Sequence, residues 1–434
     1  MRAKLKRELG LKEAIFYGLG ITIGAGIYAI IGQAAGLAGN AVWLSFLIGA
    51  LIAAFTGLSY AELSTMFPKA GVEYVYVRKA FGNRFLAFLV GWLVIFSEIV
   101  SAATVSLAFA SYFEGLFRFN INKTFFTQLV ALSLILILSY INFLGIKESS
   151  RFNIFFTLTE ILGLIIIIAI GIPYLGKVSY FESPKGLSGI FSATALIFFA
   201  YIGFQDIANV AEETKEPRKT IPKALLIVLA ITALIYVLTS ISSVSIVSWK
   251  ELSNSSVSLA LVASKVFGDN AYFFVSFIAL FATASTVLIT LIASTRMLYG
   301  MAREKSLPEV LALIHSKTKV PWVAAIVVTW ITTIFTFIGD IKVVAELANL
   351  FVFITFVLVN LSLIWLRYMM PKMRRAFRVP LNIGNYPLTA FFAIFLNLFM
   401  IFQLNLILII SGLLITIIGI ILYFCLKKLS LISA

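Results

Sequence analysis

Apolar residues in this chain run in blocks long enough, at roughly 20 residues each, for a helix to cross about 30 Å of hydrocarbon, with polar residues gathered between them. Twelve blocks can be read, at 13–39, 42–66, 84–113, 124–144, 151–176, 187–210, 222–248, 270–300, 322–338, 342–367, 385–405 and 407–426. The first and the sixth are interrupted near their middles by glycine-bearing breaks, IGAGIY at Ile23 to Tyr28 and FFAYIGF at Phe198 to Phe204. A helix that unwinds inside a bilayer exposes amide and carbonyl groups costing several kcal/mol each unless something binds them. A matched pair of breaks therefore predicts a ligand site.

The breaks divide the pattern into five helices, five helices and two more. Five is odd, so a second copy of the unit enters the membrane in the opposite orientation. The expected fold is all-α: a single transmembrane domain over 1–434, with an inverted repeat of 1–176 and 187–367 and both breaks near the midplane. No clear identity links the halves. The remaining two blocks, 385–426, carry few polar residues beyond Gln403 and Asn405 and read as a lipid-facing addition.

Composition agrees with the pattern. With 61% hydrophobic residues, 12% charged residues and a mean hydropathy of +1.04, the chain exceeds what a soluble domain of 434 residues could bury. The net charge of +15 matters through its placement: most of the 34 Lys and Arg fall on one face if the twelve blocks alternate. That asymmetry predicts a multi-pass protein of the cytoplasmic membrane with both termini cytoplasmic, and explains the basic face without nucleic acid. The start MRAKLKRELGLKE leads into a full-length block with no small-residue cleavage site, so the first helix is expected to be retained. A single cysteine, Cys425, and a single histidine, His315, allow no intrachain disulfide, no metal-ligand cluster and no Ser-His-Asp constellation, which speaks against an enzyme.

At the breaks, facing half-helices should present amides and carbonyls of opposite polarity to one cavity. Amides of Gly24, Ala25 and Gly26 can hold a carboxylate, with Ile27 completing the segment, and carbonyls of Ile23, Phe199, Ala200 and Ile202 can take an ammonium. The bland alternative is that these glycines merely let helices pack closely.

Five motifs in order carry a resemblance over essentially the whole chain. They are GAGIY, YAELSTMFPKAGVEYVYVRKAFG from Tyr60 to Gly82, FFAYIGF followed by AEETKEPRKTIP, RMLYGMAREKSLP and RRAFRVP. With them the sequence resembles amino acid permeases of the amino acid, polyamine and organocation transporter superfamily. The resemblance implies the leucine-transporter-like five-plus-five bundle and a substrate site at the two breaks, with Phe199 as an aromatic gate. It places Gln205 where many carriers of cationic amino acids have an acid, which favours neutral substrates, while the adjacent Asp206 keeps a cationic one open. It sets Glu160 where some proton-coupled relatives carry a lysine, so Glu160 could load a proton or offset a cation. Ser285 and Thr286 fall near the family's ion position, either as sodium ligands or bonded back to their own helix. Glu98 is a second intramembrane acid, and its readings as a coupling group or a structural hydrogen bond stand level.

The expected mechanism is alternating access, with proton symport through Glu160, no cofactor, and sodium left open as a coupling ion. Exchange of one amino acid for another, or carriage of cationic amino acids or polyamines, are the alternatives. A sensor that binds without transport is the rival class, disfavoured by the short tails. Monomer and homodimer are not distinguished by the sequence. Of the loops, residues 68–82 read as an amphipathic helix on the cytoplasmic headgroups with Tyr74, Tyr76 and Phe81, and 211–222 either as ion pairs that hold an inner gate around Pro217 and Pro222 or as a solvated charged loop.

Overall fold

The computed structural model describes residues 9–69, 71–117, 123–144, 149–211, 213–318, 320–429 and 431–432. The basic residues of 1–8, on which the orientation partly rests, lie outside them, as do Ala70 and Glu212 of the two loop motifs. The described chain is a bundle of helices. In order they are α1 (Leu11–Thr22), α2 (Ala25–Ala38), α3 (Val42–Met66), α4 (Val72–Phe81), α5 (Arg84–Phe117), α6 (Lys123–Leu144), α7 (Ser149–Gly171) and α8 (Gly186–Ile197). The second half adds α9 (Pro217–Ile246), α10 (Trp249–Asn254), α11 (Ser258–Phe267), α12 (Asp269–Arg303), α13 (Trp322–Thr336), α14 (Ile341–Met369), α15 (Leu388–Phe402) and α16 (Leu406–Lys428). A two-stranded hairpin, β1 (Asn382–Ile383) with β2 (Tyr386–Pro387), sits between α14 and α15.

Among the described residues, nine stretches are long and apolar enough to cross a membrane, and the protein is a multi-pass, all-α membrane protein. The ninth and eleventh blocks form α13 and α15, 15 residues each. At 1.5 Å per residue such a helix spans about 22 Å, short of the hydrocarbon thickness.

Both breaks are present in the backbone. Between α1 and α2 the chain leaves helical geometry at Ile23 (φ −85°, ψ 63°) and runs extended through Gly24. In the sixth block α8 gives way to a 3-10 turn at Phe198–Tyr201, a bend at Gly203 with φ +114°, and a further 3-10 segment at Phe204–Val210. Gly203 is obligatory on two counts: the positive φ, and a Cβ that would stand 2.9 Å from the Ile21 carbonyl oxygen.

Three expectations need correction. Helix α15 is not simply lipid-facing: Asn397 is fully buried and its Nδ2 donates to Thr56 Oγ1 of α3 at 3.2 Å. Asn360 of α14 joins the same network, accepting from Ser59 Oγ at 2.6 Å and reaching Thr56 at 3.4 Å. Helix α4 does not lie free on headgroups either, because Val72, Tyr76 and Val77 are buried against α5 and α14. Its Glu73 is buried as well, with Tyr60 donating to it at 3.0 Å. Burial pushes the Glu73 carboxyl up, and the Tyr60 hydroxyl opposes that shift.

The loop from Ala211 to Pro222 also departs from its expected role. Its described ion pair, Glu216 with Lys219 at 3.1 Å, is exposed and internal to the segment. Contact with another element comes through backbone: Leu9 donates to the Glu213 carbonyl at 3.0 Å and accepts from Lys215 at 2.7 Å.

A buried charge cluster closes the end of α3. Glu62, with no exposed side-chain surface, receives Arg367 Nε at 2.9 Å, a second Arg367 nitrogen, and the Val379 amide at 2.8 Å. Arg375 completes it at 3.0 Å. Glu62 belongs to YAELS and Arg375 and Val379 to RRAFRVP, while Arg367 comes from the end of α14, so the cluster joins two motifs about 300 positions apart by fixing the 370–387 loop on α3. Glu62→Gln leaves two guanidiniums without a counter-charge, and breaking such a buried pair costs about 3–5 kcal/mol. Thermal unfolding in detergent should fall by several degrees for Glu62→Gln and stay unchanged for Lys219→Gln, whose pair is exposed.

Candidate functional site

The backbones of the two breaks touch. A Cβ added to Gly26 would lie 2.6 Å from the Ala200 Cα, an approach that only a glycine permits. At this crossing α1 and α8 end and α2 begins, so the carbonyl ends of two helices and the amide end of a third converge.

Several of these groups are already held by side chains. The Tyr236 hydroxyl of α9 lies 2.8 Å from the Thr22 carbonyl oxygen and 3.0 Å from that of Ala200, sharing one proton between the two breaks. Asn349 of α14 donates to the last carbonyls of α8, Ala195 at 2.7 Å and Leu196 at 3.0 Å. Thr286 of α12 accepts from the Ala25 amide at 3.1 Å and donates back to Ala282 at 3.0 Å. Gln205 folds back to accept from the Gly203 amide at 3.0 Å.

A cavity of about 50 Å³ opens at the crossing. Of the residues singled out in the sequence, Gly24, Gly26, Phe199, Ala200, Ile202, Glu98 and Thr286 line it. Ile23, Ala25, Ile27, Gln205, Ser285 and Glu160 do not form its wall. The Ala25 amide, expected to face a carboxylate, is engaged by Thr286, while Gly24 and Gly26 remain beside the cavity at the amide end of α2. Asp206 also lines it, with one carboxylate oxygen taking the Asn209 amide at 3.0 Å. Asn209 in turn accepts from the Gly71 and Val72 amides, capping α4 from another element.

Glu160 lies apart, buried in α7, with both carboxylate oxygens lacking a hydrogen-bond partner among the described residues. Its carbonyl accepts from Tyr28 of α2 at 2.9 Å, and Tyr28's own carbonyl accepts from Tyr112 of α5 at 3.0 Å.

Sequence reasoning missed Tyr236, Asn349, Asn209 and Ser101, the last also in the cavity wall. Tyr236, Asn349 and Ser101 stand inside apolar blocks, where a buried polar group needs a partner, and that was the available signal. Which way each faces depends on helix rotation.

The chain matches the family model for amino acid permeases over residues 9–426. It is 31% identical to the branched-chain amino acid permease of Bacillus subtilis (strain 168), an alignment covering 97% of this chain and 93% of that protein. It is 30% identical to the methylthioribose transporter of the same bacterium, over 87% of this chain and 84% of the relative. A cationic amino acid transporter of Arabidopsis thaliana is 28% identical over 84% of this chain and 63% of its own length.

The contact between the breaks sets an expectation for stability. Gly26→Ala forces a methyl against the Ala200 backbone, an overpacking that costs about 1–3 kcal/mol, and Tyr236→Phe removes a donor from two buried carbonyls at a similar cost. Both variants should unfold several degrees below wild type in detergent, whereas Gly300→Ala, where the new methyl meets no described atom within 4 Å and the backbone is already helical, should unfold no lower than wild type.

Proposed function

The chain belongs to the amino acid permease family, a family of transporters rather than enzymes, and we propose that it carries neutral amino acids across the cytoplasmic membrane by alternating access with proton symport. One observation carries this: main-chain groups of opposite polarity, the amide end of α2 and the carbonyl ends of α1 and α8, meet at one cavity. A zwitterionic amino acid head matches that arrangement, its carboxylate on the amides of Gly24 and Gly26 and its ammonium on break carbonyls.

The finer architecture belongs to the same proposal. We read the helices as twelve crossings with both termini cytoplasmic. In this scheme α1 to α7 form the first five-helix repeat, α8 to α14 the inverted second, and α15 and α16 the two additional crossings. The short α13 and α15 are then crossings completed by flanking non-helical chain.

Neutral substrates are favoured by the apolar part of the wall, Val105, Phe199, Ile202, Ile289 and Ala293. A second reading, cationic substrates, has its own support in Glu98 and Asp206, which line the same cavity. For coupling, Glu160 is the proposed proton carrier. A carboxylate without partners inside a bilayer needs a proton or a cation to remain there, and it lies behind α2, whose amides face the substrate.

Uptake into liposomes separates these outcomes. An imposed gradient, acid outside, should drive accumulation of valine or leucine by wild type, and Glu160→Gln should abolish the gradient-driven part, by about tenfold or more, while sparing exchange with preloaded substrate. Lysine accumulation that exceeds valine and collapses in Glu98→Gln with Asp206→Asn would overturn the neutral reading. Uptake indifferent to both pH and Glu160→Gln would overturn the proton.

A further inference from the structure

Helix α5 carries a row of hydroxyl side chains, and they do not behave alike. Thr104, Ser106 and Ser111 each donate to the carbonyl four residues back, at 2.9, 2.7 and 3.1 Å, and Ser97 reaches the Ala348 carbonyl at 3.5 Å. Bonding back to the helix is the ordinary fate of Ser and Thr in membrane helices. Ser101 is different: it is 5% exposed, its hydroxyl has no partner, and it lines the cavity at the breaks.

On α12, which packs directly against α5 and forms the adjoining wall, the hydroxyls are committed. Thr286 holds the Ala25 amide and the Ala282 carbonyl, and Thr290 donates to Thr286 and Val287 at 2.9 and 3.0 Å. The two breaks supply groups for an amino acid's head, so its side chain must face the walls that remain, those of α5 and α12. Ser101 lies on one face of α5 with Glu98 one turn before it and Val105 one turn after.

Building on the transport reading above, we infer that Ser101 is a specificity-determining residue whose hydroxyl hydrogen-bonds a polar atom on the side chain of the bound amino acid, so that short hydroxylated side chains are favoured over apolar ones of the same shape. A buried hydroxyl left unpaired is a penalty that the right ligand removes and an apolar isostere leaves standing. The modest cavity, about 50 Å³, favours a short side chain over a long one.

Two nearly isosteric pairs test this in proteoliposomes: threonine against valine, and serine against 2-aminobutyrate. Wild type should favour the hydroxylated member of each pair about tenfold in kcat/KM, the scale of one hydrogen bond. Ser101→Ala should bring the ratio to about one, chiefly by raising KM for threonine and serine, and Ser101→Thr, which keeps the hydroxyl, should preserve the preference. Ser101→Ala without substrate should unfold no lower than wild type, because the hydroxyl bonds nothing among the described residues. A wild type that does not distinguish the pair members, an equal loss for both members in Ser101→Ala, or a fall in unfolding temperature would each overturn the assignment. A wild type that takes up no amino acid at all overturns the transport reading itself, an outcome distinct from transport without discrimination.

Discussion

Every feature of the centre of this molecule follows from the need to satisfy main-chain groups where two helices come apart inside the bundle. Unwinding at Ile23 and Gly24, and again between Phe198 and Gly203, frees amides and carbonyls where water is scarce. The protein assigns a side chain to several of them, Tyr236, Asn349, Thr286 and Gln205, drawn from four different helical elements. What is left beside the cavity is the amide end of α2 at Gly24 and Gly26. The site is thus the remainder of a hydrogen-bond count, and the caps define it as much as the glycines do.

The broken helices were legible in the sequence because glycine in an apolar block is a strong local signal, and both breaks appear where IGAGIY and FFAYIGF stand. The caps were not legible, because they depend on which side of α9, α12 and α14 faces inward. Gln205 shows the limit. Its position next to the break suggested a substrate contact, but one residue rotates a helix side chain by about 100°, and in the actual 3-10 segment Gln205 closes its own turn while Asp206 reaches the cavity. Asn397 was overlooked for the opposite reason: a single Asn among Phe, Leu and Ile barely alters the hydropathy of α15, yet it fixes how that helix packs.

Polar contacts also distribute stiffness. Thr56, Ser59 and Glu62 lie along one side of α3 and are bound in turn by Asn397, Asn360 and Arg367, so α3, α14 and α15 are stitched together over two turns. Any motion that separates α3 from α14 must break a buried ion pair as well as amide hydrogen bonds. Helix α1 and the 204–210 segment are joined differently, through the Leu9 backbone pairing with Glu213 and Lys215. Those two half-helices carry the chain on the same side of both breaks, and α1 packs directly against residues 204–210.

The contrast locates the part that can move. Parting α1 and residues 204–210 from α5 and α12 leaves the Glu62 cluster and the α3 network intact, and it opens the cavity beside Glu98 and Asp206. The link in its way is Asn209, which ties Asp206 to the amides at the start of α4. Asp206 therefore stands at once in the cavity wall and in the hold on the start of α4, apart from the stitched helices. Glu160 sits outside this path, buried in α7 and joined to α2 through Tyr28, whose hydroxyl donates to its carbonyl. Asp206 and Glu160 are thus tied to different breaks, the first within the 204–210 segment and the second through Tyr28 to α2.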